Sequence, residues 1–143
     1  VRYFKELAGV KELPVEGVYA LKSNAEVIRY VHENPGAIGV VGVNWMVQPP
    51  TDLEEIVGGL KILGVKNLEG QAGSDAFYKP TQNDIALGLY PLTRSLYIIN
   101  CEGGAGLGTG FASFIAGERG QRVVLKSGLL PDSIPSREIN IVN

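Results

Sequence analysis

Thr93 and Arg94 set a hydroxyl beside a guanidinium, the two kinds of donor with which a protein grips an oxyanion. They follow Tyr90-Pro91-Leu92, and Pro91 bars that stretch from the middle of a sheet, so both residues could equally fix an extended approach to a strand over Ser95 to Asn100. Asn44 and Trp45 form a second pair. They end the apolar run Ala37-Ile38-Gly39-Val40-Val41-Gly42-Val43, and open α/β sheets take their ligands at the carboxyl ends of strands. Rim packing accounts for Trp45 as well, with Asn44 turning the chain.

The glycine-rich loop Gly103-Gly104-Ala105-Gly106-Leu107-Gly108-Thr109-Gly110 invites a nucleotide reading, and its spacing refuses one. A dinucleotide fingerprint needs glycine at position 109 or 111, where Thr109 and Phe111 stand, and no Gly-Lys-Ser/Thr follows for a phosphate loop. What remains is a loop leading into a helix that buries Phe111, Phe114 and Ile115, with Thr109 as its expected N-cap and amides able to face an anion. Glu54, Glu55, Glu69, Asp75 and Asp84 are scattered, and no pair stands out as general acid and base. Cys101 is the single cysteine and His32 the single histidine, so neither a disulfide nor a zinc site can form within the chain, and no cofactor is implied. Cys101 is expected to be buried and inert, and His32 to lie on the surface near a helix end.

The elements that must position these groups alternate between helix and strand patterns. Val1, Phe4, Leu7 and Ala8 share a helix face that ends at Gly9. Ser23 and Glu26 have the spacing of a capping box, and they open a helix with Ala25, Val27, Ile28 and Val31 on its apolar side and Asn34-Pro35-Gly36 as its stop. Ala37 to Val43 then reads as a strand covered on both faces. A short helix is expected over Asp52 to Val57 with Thr51 or Asp52 as its cap, a strand over Leu60 to Val65, and a turn or short strand over Asn83 to Gly88. After Gly117 a second helical segment places Gln121, Val124 and Leu125 on one face and stops at Gly128, before Pro131. Glu138 to Val142 alternates like a last strand.

At 143 residues the chain is long enough for one ordinary domain, with two small lobes as the other arrangement. Thirteen Lys and Arg against 15 Asp and Glu leave a net charge of -2, which gives no electrostatic footing for nucleic acid. No apolar run of about eighteen residues crosses a bilayer. The start at Val1, already helical in pattern, reads as a processed or truncated product.

Three blocks, taken in order, resemble a known family. They are Glu26-Val27-Ile28-Arg29-Tyr30-Val31-His32-Glu33-Asn34-Pro35-Gly36-Ala37-Ile38-Gly39, then Tyr90-Pro91-Leu92-Thr93-Arg94-Ser95-Leu96-Tyr97, then Gly110-Phe111 through Gly120-Gln121-Arg122-Val123-Val124 to Gly128-Leu129-Leu130-Pro131. Together they look like the phosphate-binding substrate-binding proteins of ABC importers. The resemblance implies an α/β fold of the periplasmic-binding-protein type, a mixed sheet flanked by helices, comprising one lobe plus the C-terminal part of the other. Residues 1–89 would be second lobe, 90–100 the strand crossing the hinge, and 101–143 the C-terminal part of the first lobe.

It implies further a non-enzymatic solute carrier in the periplasm or cell envelope, lipid-anchored in its full-length form, which closes two lobes on phosphate or a similar oxyanion and delivers it to a permease. The amino-terminal half of the first lobe, with its hydroxyl-bearing anion loop, has no counterpart here, nor does the Ser-Gly-Thr type of turn before the helix of Arg2. Arg2 is the surviving candidate at that helix start, beside Asn44, Trp45, Thr93 and Arg94. Half a clamp is expected to bind phosphate weakly, and a second copy covering Phe111 and Phe114 would complete the truncated lobe as a homodimer. A phosphate-sensing module of the same fold without a permease is the alternative. A small hydrolase or transferase using Asn44, Arg94 and a carboxylate lacks a nucleophile and base in the sequence.

Overall fold

Ser23 begins the best-defined element of the computed structural model, which describes residues 2–14 and 16–133. Its Oγ accepts from the Glu26 amide at 3.2 Å, while the Glu26 carboxylate reaches back one residue past the cap and accepts from the Lys22 amide at 2.9 Å. The helix so started, α2 (Asn24–Glu33), ends where the Asn34 amide bonds the Tyr30 carbonyl at 3.0 Å. On its inner face Ile28 is 2 % exposed, and it meets Leu53 and Val57. These come from a single 3-10 turn, Thr51–Leu53, and from α4 (Glu54–Gly59), with α1 (Arg2–Ala8) and α3 (Asn44–Val47) preceding them in the chain. Ala25, Val41, Trp45, Met46, Ile56 and Leu60 pack around the trio. Burial of each aliphatic chain in this cluster contributes about 1.5–3 kcal/mol. At its rim Arg29 and Asp52 pair at 2.6 Å, an exposed contact that adds well under that. Neither Thr51 nor Asp52 makes the expected side-chain cap.

The expected mixed α/β sheet is not formed among the described residues. Their only strand pairing is one antiparallel bridge, in which Val65 and Tyr78 exchange backbone bonds of 2.8 and 3.0 Å. Leu60 to Val65 is otherwise without a ladder. Ala37 to Val43 runs extended across α2, where Gly39 lies so close to Val27 and Val31 that a Cβ there would stand 2.8 and 2.7 Å from their methyls. Val41 reaches the core, whereas Ile38 and Val40 point outward, so one face is covered instead of two. Ser95 to Asn100 has no ladder either, and Tyr97 and Ile99 are more than four-fifths exposed. The physical reason is common to all three runs. A strand needs a neighbour to take its amides and carbonyls, and beyond the Val65 to Tyr78 bridge no described segment forms a ladder with any of them. The strand expected over Glu138 to Val142 falls outside the described residues.

Asn83 to Gly88, expected as turn or strand, is instead covered by a short helix, α5 (Gln82–Ala86). Thr81 caps it by accepting from the Asp84 amide at 3.0 Å, a Thr-x-x-Asp spacing that the sequence displays and that outweighs the local polarity. Two further helices, α6 (Leu107–Ala116) and α7 (Glu118–Lys126), meet at Gly117. Their packing demands a bare backbone at Gly120, where a Cβ would stand 2.3 Å from the Phe114 carbonyl oxygen. Gln121 is buried beside it, and its Nε2 donates to the Ile115 carbonyl at 2.8 Å while its Oε1 accepts from the Ser133 amide at 3.3 Å.

The far end of α7 is fastened to the earlier part of the chain by two glutamines. Gln82 donates to the carbonyls of Leu125 and Leu129, both at 2.7 Å, and Gln48 donates to that of Lys126 at 2.9 Å. Gly128, with φ of 81°, closes the helix in the left-handed turn expected of it, as its own amide bonds Leu125 and that of Leu129 bonds Val124.

The same substitution is expected to act with opposite sign at two helical glycines. Gly120→Ala, driven into the α6 backbone, should lower unfolding free energy by about 1–3 kcal/mol. Gly58→Ala, in α4 with open space around it, should raise it by about 0.5–1 kcal/mol, both read by urea denaturation.

Candidate functional site

Arg2 opens α1 with its side chain 92 % exposed and its guanidinium 2.7 Å from the Glu6 carboxylate one turn on. The hydrogen bond to Glu6, and then its charge, raise the Arg2 pKa above the ordinary value, so the group stays a cation throughout. Tyr3, next along the helix, donates its phenol proton to the Thr93 carbonyl at 3.1 Å and sets its ring edge-on to Phe4. Helix α1 is thereby held against a segment 90 residues away. The Thr93 amide turns back to the Pro91 carbonyl at 3.0 Å, which leaves the Thr93 hydroxyl exposed and without a hydrogen bond among the described residues. Arg94 follows, exposed and with no ion pair among the described residues. Beneath them Tyr90 is half-buried; burial first, and the proximity of Tyr3 second, push its phenol pKa above the usual 10.0.

Asn44 and Trp45 lie elsewhere. Asn44 is the first residue of α3, and its side chain folds back over Gly42. Trp45 packs half-buried against the Ile28, Leu53 and Val57 cluster. The five residues singled out in the sequence therefore form two groups. Tyr3, next to Arg2, bonds the Thr93 carbonyl, with Arg94 the next residue, while Asn44 and Trp45 open α3, Trp45 against the core and Asn44 against Gly42.

The glycine-rich loop turns out differently from its sequence reading. Helix α6 begins at Leu107 with Gly106 as its cap, so Thr109 lies inside the first turn and not before it. Its hydroxyl donates to the Gly104 carbonyl at 3.2 Å and accepts from Asn100 Nδ2 at 2.9 Å. The free amides of that helix end face Glu102, whose Oε2 accepts from Gly108 at 2.9 Å and from Thr109 at 3.4 Å. A carboxylate of the chain itself thus sits where an anion could have stood, favoured by the helix dipole. Only the acidic residue just ahead of the glycines signalled this. Cys101 beside it is exposed, against the buried position expected.

Among the described residues no three His, Cys, Asp or Glu side chains gather as a cation site, and no helix is long and apolar enough to cross a membrane. Residues 2–119 match the family described as PBP superfamily domain. The chain belongs to that family. Its members are solute-binding domains, typically periplasmic or otherwise outside the cytoplasm, and generally not enzymes. The match takes in α1 to α6, the Tyr3 to Thr93 contact and the Glu102 cap, and ends at the start of α7. No curated protein and no solved structure matches the chain.

The shifted tyrosines set an alkaline limit on stability. A phenol whose pKa is raised on folding stabilises the native state fully below pH 10, and that contribution is lost as pH rises through the folded value. Tyr90→Phe should flatten the fall in unfolding free energy above pH 10, measured by urea denaturation from pH 8 to 11. Tyr78, raised by its hydrogen bond to Asp75, acts in the same direction and should leave a residual slope.

Proposed function

We propose that this chain is part of the solute-binding component of a phosphate-type ABC import system. In this reading it works in the periplasm or cell envelope, with residues 1–89 as second lobe, 90–100 crossing the hinge and 101–143 belonging to the first lobe. The observation that carries the reading is the Tyr3 to Thr93 hydrogen bond. It ties α1, the helix that Arg2 opens, to the backbone of Thr93, so that Arg2 and the Thr93-Arg94 pair belong to two segments in contact.

Such a set suits phosphate. A dehydrated oxyanion regains its lost hydration from charged and hydroxyl donors, and bidentate guanidinium contacts add direction to charge. Arg94 has no counter-ion to displace among the described residues, whereas Arg2 would have to leave Glu6. Asn44, at the start of α3, and Trp45, packed against the core, form a second group of the same lobe that this reading keeps as further ligand contacts. The permease is the partner that receives the ion, and a second copy is the partner that covers Phe111 and Phe114, both about half exposed on α6.

An open clamp binds weakly. Titration of the chain with inorganic phosphate, followed by amide chemical shifts, should move the resonances of Arg2 to Phe4 and Thr93 to Ser95 together, with half-saturation at about 1 mM, near 4 kcal/mol. Arg94→Ala should weaken that response roughly tenfold or more, since charge-assisted hydrogen bonds contribute about 1.5–3 kcal/mol. Shifts confined to other residues and indifferent to Arg94→Ala would overturn the assignment. Tight stoichiometric binding in calorimetry would overturn the half-clamp account.

A further inference from the structure

A cavity of about 280 Å³ opens at the seam between the end of α7 and the segments leading from α3 and into α5. Val43, Val47, Ile62 and Pro80 supply aliphatic walls, and none of Arg2, Asn44, Trp45, Thr93 or Arg94 lines it. Its one charged group is Lys79, which has no ion pair among the described residues. Beside it, Thr81 Oγ accepts the Asp84 amide, so its hydroxyl proton remains to be donated into the cavity. Gln82 spends its amide protons on the Leu125 and Leu129 carbonyls, and Pro80 has no N–H. Among the lining side chains the groups left with a proton to donate are therefore an ammonium and a hydroxyl, on the exposed residues Lys79 and Thr81 at one side of an otherwise aliphatic space.

That polarity selects a ligand class. Inorganic phosphate would press dehydrated oxygens against the valine and isoleucine walls with too few donors to replace water. A neutral hydrocarbon would make no use of the ammonium of Lys79, which lies exposed at the cavity's edge. We propose that this cavity binds a small aliphatic carboxylate, its head group on Lys79 and Thr81 and its tail against Val43, Val47 and Ile62. The volume equals that of roughly nine waters in the liquid, which fits an acid of about six carbons. Gly128 from α7 borders the same space, pressed so close that a Cβ there would stand 2.9 Å from Val47. A bound acid would consequently touch both sides of the seam and hold the end of α7 in place.

Hexanoate is the probe, added to the whole chain, with affinity read by calorimetry and by the amide shifts of Val47, Lys79 and Thr81. Saturable binding is expected, together with a rise in melting temperature. Hexan-1-ol should bind at least tenfold more weakly, and Lys79→Gln should weaken hexanoate by about tenfold or more, as loss of a charged hydrogen bond does. Ile62→Trp, which fills the cavity from an edge position, should abolish binding while the helical circular dichroism is retained. The proposal is overturned if hexanoate does not saturate, if hexanol binds as well as hexanoate and Lys79→Gln changes nothing, or if phosphate displaces hexanoate at equal concentration. Since Arg94→Ala should leave hexanoate binding unchanged, failure here is distinguishable from failure of the phosphate site.

Discussion

An extended segment can bury its side chains only after another segment has taken its amides and carbonyls, and that constraint shapes every part of this protein. Ser95 to Asn100 has the composition of an inner strand, yet no described segment runs beside it. Its backbone stays open to water, and with it Leu96, Tyr97, Ile98 and Ile99 remain exposed. The same is true in milder form of Ala37 to Val43, which finds α2 beneath it but nothing at its edges. Helices satisfy all but their end groups internally, so they form here where strands do not, and the described core shrinks to Ile28, Leu53 and Val57.

Side chains then do the joining that a sheet would otherwise do. Gln82 and Gln48 occupy the last carbonyls of α7, Gln121 bridges Ile115 to Ser133, and Tyr3 reaches Thr93 across most of the sequence. Those of Gln82, Gln48 and Tyr3 are polar contacts between segments 43 to 90 residues apart, where an apolar interface is thin. This puts both candidate binding regions at joints. Thr93, with Arg94 next to it, lies at the contact with α1, and the aliphatic cavity lies where α7 meets α3 and α5.

Local signals in the sequence were legible where they act locally. Ser23 and Glu26 announced α2, Gly9 and Gly128 announced helix ends, and Gln121 was placed correctly on the inner face of α7. The strand pattern of the apolar runs was also real, but a strand exists only as a pair, and pairing is not written in the run itself. Thr81 and Asp84 have the spacing of a capping pair, and the structure uses it. Glu102 could not have been found by motif. Its role depends on a six-residue loop folding back so that its carboxylate reaches the amides of Gly108 and Thr109. Likewise nothing in the spacing of Tyr3 and Thr93 foretells their bond.

The chain belongs to the PBP superfamily domain family, and among its described residues the strand-like segments lie without a ladder while the helices are already formed. Native-state hydrogen exchange at low protein concentration tests this most directly. The account expects the amides of Leu96 to Ile99 to exchange at close to the rate of free peptide while those of Ile28 to Val31 in α2 are protected. Protection of Leu96 to Ile99 as strong as that of α2 would mean that the run already has its partner strand, and would contradict the account.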